Sequence, residues 1–140
     1  MASTETFRIP KHRRHVSVAR RRLREALADW DVAGELTDTV TLLASELVTN
    51  AVLHCRVSCA QVRVTLTLDG AELLLEVTDP DRDRLPQPHR PTLGREGGRG
   101  LALVEALADT WGCRQGPYTK CVWARFTLAE AKRAHVPVGS

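Results

Sequence analysis

The stretch "QVRVTLTLDGAELLLEVTDP", residues 61–80, decides the fold class of this chain. Apolar and polar residues alternate on both sides of its centre, which is the pattern of two half-buried strands. The dipeptide Asp69-Gly70 between them is a strong signal for a hairpin turn. The stretch therefore predicts an antiparallel hairpin with one buried face. The residues of that face are Val62, Val64, Leu66 and Leu68 before the turn and Leu73, Leu75 and Val77 after it.

Two helices are predicted upstream of the hairpin. Apolar residues recur at helical steps from Val16 to Trp30, and Gly34 breaks the chain soon afterwards. A second helical pattern runs from about Leu36 to His54. Residues 7–10 predict a short edge strand that stops at a proline. The shared apolar face of the second helix is formed by Val40, Leu43, Leu47 and Ala51.

Downstream of the hairpin the pattern changes twice. Residues 80–98 are rich in proline, glycine and charge, and they predict a long loop. A helix is predicted from about Arg99 to Asp109, and residues 110–115 and 120–128 predict a closing hairpin. Strands grouped apart from helices indicate an α+β two-layer sandwich, with a mostly antiparallel sheet and helices on one face.

Length and composition favour a single domain over residues 1–140. The chain is 43% hydrophobic and 26% charged, which is typical of a soluble globular protein. No apolar run approaches the roughly 18 residues of a membrane span, and the N-terminus lacks the apolar stretch of a secretory signal. We therefore expect a cytoplasmic protein without membrane attachment.

The cysteines and the basic residues allow more than one interpretation. Four cysteines without a secretory signal argue against disulfides. His54 beside Cys55 permits structural zinc, but the spacing fits no C-x2-C knuckle, and small buried side chains are the favoured interpretation. The run "ARRRLRE", residues 19–25, could attract nucleic acid. A solvated helix face is the commoner meaning of such a run, so nucleic-acid binding is not favoured.

The stretch "LGREGGRGLALVEALADTWG", residues 93–112, places four glycines before a helical pattern. It is not a P-loop, because Gly98-Arg99-Gly100-Leu101 lacks the Lys-Ser/Thr pair. It is not a dinucleotide fingerprint, because Leu103 stands where the third glycine belongs. What remains is a helix N-terminus whose free N–H groups could bind an anion, with Arg99 as a further donor. A flexible linker is the alternative.

Three polar residues could carry chemistry. In "SELVTNAVLH", residues 45–54, Glu46 and Asn50 are four apart and so are neighbours on one helix face. Their oxygens could share Mg2+, or Glu46 could polarise a hydroxyl while Asn50 holds the metal. Asp79 ends the second strand and could accept a hydrogen bond from a ligand amino group. Taken singly, an exposed polar pair and an Asp-Pro turn are the simpler explanations.

In this order, the segments resemble the ATP-binding domain shared by histidine kinases, gyrase-type topoisomerases and MutL-type proteins, the GHKL superfamily. "SELVTNAVLH" resembles its N box. "VTDPDRDRLP", residues 77–86, resembles the first glycine box, and "GREGGRGLALVEALAD", residues 94–109, the second. The resemblance covers about Ile9 to Leu128 and is nearest to small bacterial anti-sigma factor serine/threonine kinases. It implies a Bergerat-type ATP-binding fold.

The resemblance also implies a role for each matching residue. Asn50 would coordinate Mg2+, Glu46 would be the catalytic general base, and Asp79 would read the adenine amino group of ATP. Residues 85–96 would form a lid over the nucleotide. Gly97, Gly98, Arg99 and Gly100 would surround the phosphates, and Gly94 and Leu101 would be further ATP-binding residues.

The chain departs from the family pattern at three positions. Pro80 and Asp81 occupy a part of the first glycine box that usually carries glycine, and Pro80 has no N–H to donate. In the last strand, Cys121 takes the place of a threonine that lies near the adenine in relatives. Because cysteine is a weak hydrogen-bonding residue, the departures argue for weaker adenine contact.

The resemblance implies an ATP-binding protein of transcription regulation with two alternative activities. The first is a kinase that phosphorylates a serine or threonine of an anti-anti-sigma (STAS-type) protein. Retention of Glu46 and Asn50 favours it. The second is a non-catalytic module that sequesters a sigma factor or other partner and binds ATP weakly or not at all. Pro80, Asp81 and Cys121 favour the second. Relatives of this group often dimerise, so a homodimer is a further expectation.

Overall fold

The computed structural model describes residues 2–54, 61–80 and 105–128. These residues form two long helices and five strands, and residues 105–107 are helical as well. The elements are β1 (Ala2–Pro10), α1 (Val16–Asp29), α2 (Glu35–His54), β2 (Gln61–Asp69), β3 (Glu72–Asp79), β4 (Thr110–Gln115) and β5 (Lys120–Thr127). A 3-10 turn, Arg13–His15, leads into α1. The α+β class predicted from the sequence is confirmed.

The five strands form one sheet in the order β1-β2-β3-β5-β4, and every neighbouring pair is antiparallel. β5, the last strand among the described residues, therefore lies inside the sheet, between β3 and β4. The register of this insertion sets Asp79, the last residue of β3, opposite Lys120, the first residue of β5. Two residues 41 positions apart in the chain are thereby brought side by side.

Both long helices pack on one face of the sheet, which we call the helix face. Alternation along the strands gives this face the apolar residues, among them Val64, Leu75 and Ala124, none of which is exposed. The opposite side, the open face, carries residues such as Thr65 and Glu76. The four residues predicted to form the buried face of α2 are all buried: Val40, Leu43, Leu47 and Ala51.

The arginines of α1 make contacts inside the molecule. Arg20, Arg22 and Arg24 make polar contacts to neighbouring elements. The guanidinium of Arg22 also lies over the ring of Phe7, with its carbon 4.8 Å from the ring centroid. These contacts join α1 to β1 and α2, so much of the basic run has a structural role. The polar contacts are Arg22 to Glu5 (2.6 Å), Arg20 to Ser45 Oγ (2.9 Å) and Arg24 to Asp38 (3.3 Å).

Two element boundaries differ from the prediction. β1 is longer than residues 7–10, because it pairs with β2 from Ala2 to Pro10 although its first half carries polar residues without apolar alternation. The third helix was predicted to continue to Asp109, but residue 108 is already outside the helix. The Asp109 N–H instead donates to the Arg125 carbonyl at 2.8 Å, which draws this segment into the sheet.

Within the described ranges, neither long helix carries an apolar stretch of the length that a membrane crossing requires.

Candidate functional site

Asn50 lies at the edge of the buried face of α2, one turn before the helix ends at His54. Its side chain is half-buried, but Oδ1 is fully buried and has no hydrogen-bond partner among the residues described. A buried acceptor without a partner costs about 1 to 3 kcal/mol, and native proteins contain few of them. An amide oxygen is also a ligand that Mg2+ accepts. Asn50 Oδ1 therefore fits a bound metal ion.

Glu46 lies one helical turn before Asn50, on the same side of α2. It is half-buried, so its carboxylate lies at the boundary between the core and solvent. The preceding residue, Ser45, accepts a hydrogen bond from Arg20 at 2.9 Å, which ties this turn of α2 to α1. The structure thus brings the two N-box residues together as their spacing predicted.

Asp79 and Lys120 form a buried ion pair on the helix face. Their side chains are 4% and 9% exposed, and Lys120 Nζ lies 3.5 Å from Asp79 Oδ2. This separation exceeds the roughly 2.7 to 2.9 Å of a charge-assisted N–H···O hydrogen bond. The strand order creates the pair, because β5 inserts beside β3 and starts where β3 ends. Asp79 therefore has a cationic neighbour that the sequence motifs did not indicate.

Cys121 does not adjoin Asp79. It pairs with Thr78, and successive residues of a strand point to opposite faces, so its side chain is on the open face. There its sulfur accepts a hydrogen bond from Arg114 at 3.5 Å. Together with Thr78 and Arg114 it lines a groove of about 480 Å³. Lys120, and not Cys121, therefore lies beside Asp79, the residue expected to contact adenine.

Lys120 could have been found from the sequence. Val122 belongs to the apolar alternation of the last strand, and counting back two residues puts Lys120 on the same buried face. A lysine in that place indicates an acidic neighbour, since lysine is almost never buried unless paired. The identity of the neighbour depends on the strand order, which the sequence pattern does not contain.

Several predicted site residues lie outside the described residues. They are Gly94, Gly97, Gly98, Arg99, Gly100 and Leu101, together with Asp81 and the predicted lid, residues 85–96. Pro80 is described and forms a half-buried bend directly after β3.

The two described cysteines are free thiols on opposite faces of the sheet. Cys121 is buried and Cys113 is exposed, whereas Cys55 and Cys59 lie outside the described residues. Within residues 2–54, 61–80 and 105–128, no cluster of three or more His, Cys, Asp or Glu side chains could hold a metal ion.

Cys113 offers a pH-dependent probe of the ion pair. Burial raises the pKa of its thiol, Lys120 opposes this rise, and Cys121 and Asp79 add to it. Alkylating reagents react with the thiolate, so the rate should rise with pH through an inflection above the value of about 8.5 for a free cysteine. Lys120→Met removes the opposing positive charge and should move the inflection higher. Iodoacetamide labelling followed by peptide mass spectrometry measures the alkylation rate of Cys113 against pH in the wild type and in Lys120→Met. An inflection in the wild type at lower pH than that of a cysteine in a model peptide contradicts the prediction.

The fold and the site together define a class. Two helices cover one face of an antiparallel sheet, the second helix carries a Glu/Asn pair, and a neighbouring strand ends in a buried aspartate on the same face. This arrangement is an α+β sandwich with the helices on one face of the sheet. The profile of the histidine kinase-like ATPase domain matches residues 9–126, so the chain belongs to the histidine kinase-like ATPase family.

Solved structures support the fold. The chain resembles the RsbU and RsbW domains of Rv1364c from Mycobacterium tuberculosis with a TM-score of 0.66 and 21% identity, over 88% of this chain and 32% of that one. It resembles the histidine kinase domain of the blue-light activated histidine kinase EL346 from Erythrobacter litoralis with a TM-score of 0.57 and 21% identity, over 84% of this chain and 63% of that one. The chain thus spans about a third of the first and under two thirds of the second. No curated protein matches it.

Proposed function

We propose that the protein binds Mg-ATP in the cytoplasm and acts as an anti-sigma factor serine/threonine kinase. The observation that carries this proposal is the buried Asn50 Oδ1 without a partner among the described residues, on the helix that also carries Glu46. The family supports ATP as the ligand. The similarity to a structure that contains an RsbW domain supports a regulatory role of the partner-switching kind. The proposed partners are an anti-anti-sigma (STAS-type) protein, a sigma factor and a second copy of the chain.

Each residue has a separate task in the proposed reaction. Asn50 would hold Mg2+, which when bound neutralises negative charge on the phosphates. Glu46 would take the proton of the serine or threonine hydroxyl as that oxygen attacks the γ-phosphorus, the bond from the γ-phosphorus to the bridging oxygen of the β-phosphate breaks, and ADP leaves. Asp79 would accept a hydrogen bond from the adenine amino group. The glycine segment that starts at Gly94 would surround the triphosphate, beneath a lid formed by residues 85–96.

One observation favours the alternative, a partner-sequestering protein that binds ATP weakly or not at all. The Asp79 carboxylate already has Lys120 beside it in a buried ion pair. A ligand that separated the two would leave a buried ammonium without its counter-charge, which is costly. We expect ATP to bind weakly if its adenine can reach Asp79 only by breaking the ion pair between Asp79 and Lys120.

Phosphoryl transfer separates the two functions. The protein is incubated with γ-labelled ATP, Mg2+ and a STAS-type protein of the same organism, and calorimetry measures ATP binding in parallel. The kinase proposal expects label on a serine or threonine of the STAS-type protein. ATP binding without transfer supports the alternative, and the absence of both contradicts the assignment of a nucleotide site.

A further inference from the structure

Lys120 and Asp79 place opposite charges in a part of the fold that could be apolar. Their side chains are 9% and 4% exposed, and the neighbours two residues away on the same strands, Val122 and Val77, belong to the core. Replacing a buried ion pair by apolar residues is often neutral or stabilising, because each ion loses its hydration. A gain in folding stability therefore does not explain why a lysine and an aspartate occupy these buried positions, and a role in ligand binding would explain it.

The pair can bind a ligand without separating. An ammonium has three N–H donors, and a carboxylate has about four acceptor positions, so each group can serve its neighbour and a ligand together. With Nζ 3.5 Å from Oδ2, a donor and an acceptor lie side by side at one end of the sheet. Both are on the helix face, where α2 packs against β3.

The edge of adenine has the complementary arrangement. Its amino group donates hydrogen bonds, and the adjacent ring nitrogen N1 accepts one. A base whose amino group faces Asp79 can turn N1 towards a donor placed next to that carboxylate. Lys120 is the described residue that the β3–β5 register puts there.

We propose that Lys120 reads the nucleotide base directly, by donating a hydrogen bond from its ammonium to N1 of adenine while Asp79 accepts one from the amino group. The inference rests on the proposed binding of ATP. It makes the ion pair part of the base-recognition site rather than an obstacle to it. Lys120 is thereby a specificity-determining residue that touches the ligand.

The test compares ATP with 1-deaza-ATP, in which a C–H group replaces N1. Hydrogen bonds to charged groups contribute about 1.5 to 3 kcal/mol, so the wild type should bind Mg-1-deaza-ATP about 10- to 100-fold more weakly than Mg-ATP. Lys120→Met has no donor for N1 and should bind the two nucleotides with equal affinity. Isothermal titration calorimetry gives all four dissociation constants.

Two further comparisons keep the test decisive. Arg125→Met removes a positive charge from the open face of the same strand, where Arg125 lies 3.7 Å from Glu72, and it should retain the wild-type preference for ATP. Lys120→Met removes the cation beside the buried Asp79 carboxylate, which can impair folding. The double variant Asp79→Asn/Lys120→Met carries neither charge, and it should bind Mg-ATP and Mg-1-deaza-ATP with equal affinity.

Each outcome has one meaning. A wild type that binds both nucleotides equally overturns the role of Lys120 and leaves ATP binding intact. If Lys120→Met and the double variant still prefer ATP, a group other than Lys120 donates the hydrogen bond to N1. This result also overturns the proposed role of Lys120. A wild type that binds neither nucleotide overturns the proposed function, and this inference with it.

Discussion

Glu46→Gln is expected to lower the rate of phosphoryl transfer to the partner by about 10²- to 10⁴-fold, the usual contribution of a general base. Glutamine keeps the size and hydrogen-bonding reach of the side chain but cannot take a proton from the attacking hydroxyl. ATP affinity and partner binding should stay within about threefold of the wild type, because Glu46 is assigned no contact to the nucleotide.

Single-turnover transfer from γ-labelled ATP measures the chemical step, and calorimetry measures ATP and partner affinity. Glu35→Gln is the matched control, since it makes the same change in the first turn of the same helix. The control should transfer phosphate at the wild-type rate. Unchanged transfer in Glu46→Gln would contradict the role of Glu46 as base. A parallel loss of ATP affinity would mean that Glu46 serves binding instead.

Asn50→Ala is expected to weaken Mg-ATP binding by at least about tenfold, the smallest cost usually seen when the shell of a metal site is altered. The loss should depend on the metal, because the side chain is proposed to act through Mg2+. With EDTA present, the wild type and the variant should therefore bind ATP equally weakly. Calorimetry with and without Mg2+ measures this difference.

The stability of the ligand-free variant separates a binding role from a structural one. Alanine removes a buried oxygen that has no hydrogen-bond partner among the described residues, and alanine is the better helix former, so the free energy of unfolding should not fall. Asn50→Asp, which keeps an oxygen ligand, should retain metal-dependent binding. A loss of stability in Asn50→Ala, or a loss of ATP binding that EDTA does not abolish, would contradict the assignment of Asn50 as metal ligand.

The hairpin and the two long helices were predictable because their signals are local. Alternation in β2 and β3 and the Asp69-Gly70 turn depend on neighbouring residues alone, as does the apolar face of α2. The Glu46/Asn50 pair was predictable for the same reason. Helical spacing fixes which residues share a face, whatever the rest of the fold does.

The remaining features depend on long-range pairing. The polar first half of β1 forms a strand because β2 offers it a partner along its whole length. Lys120 meets Asp79 because β5 enters the sheet between β3 and β4, and no local pattern encodes that order. In this register Cys121 points to the face opposite Asp79, and the sequence motif alone did not identify Lys120 as the neighbour of Asp79.

Thermal unfolding of the wild type with and without Mg-ATP tests the central claim most directly. A ligand specific for the native state, present at about 100 times its dissociation constant, adds roughly 2.7 kcal/mol to the free energy of unfolding. For a chain of this size that corresponds to an increase in Tm of roughly 5 to 10 °C. We predict this increase with Mg-ATP and a smaller one with ATP in EDTA. An unchanged Tm at millimolar Mg-ATP would contradict a nucleotide site and leave partner binding as the function of the fold.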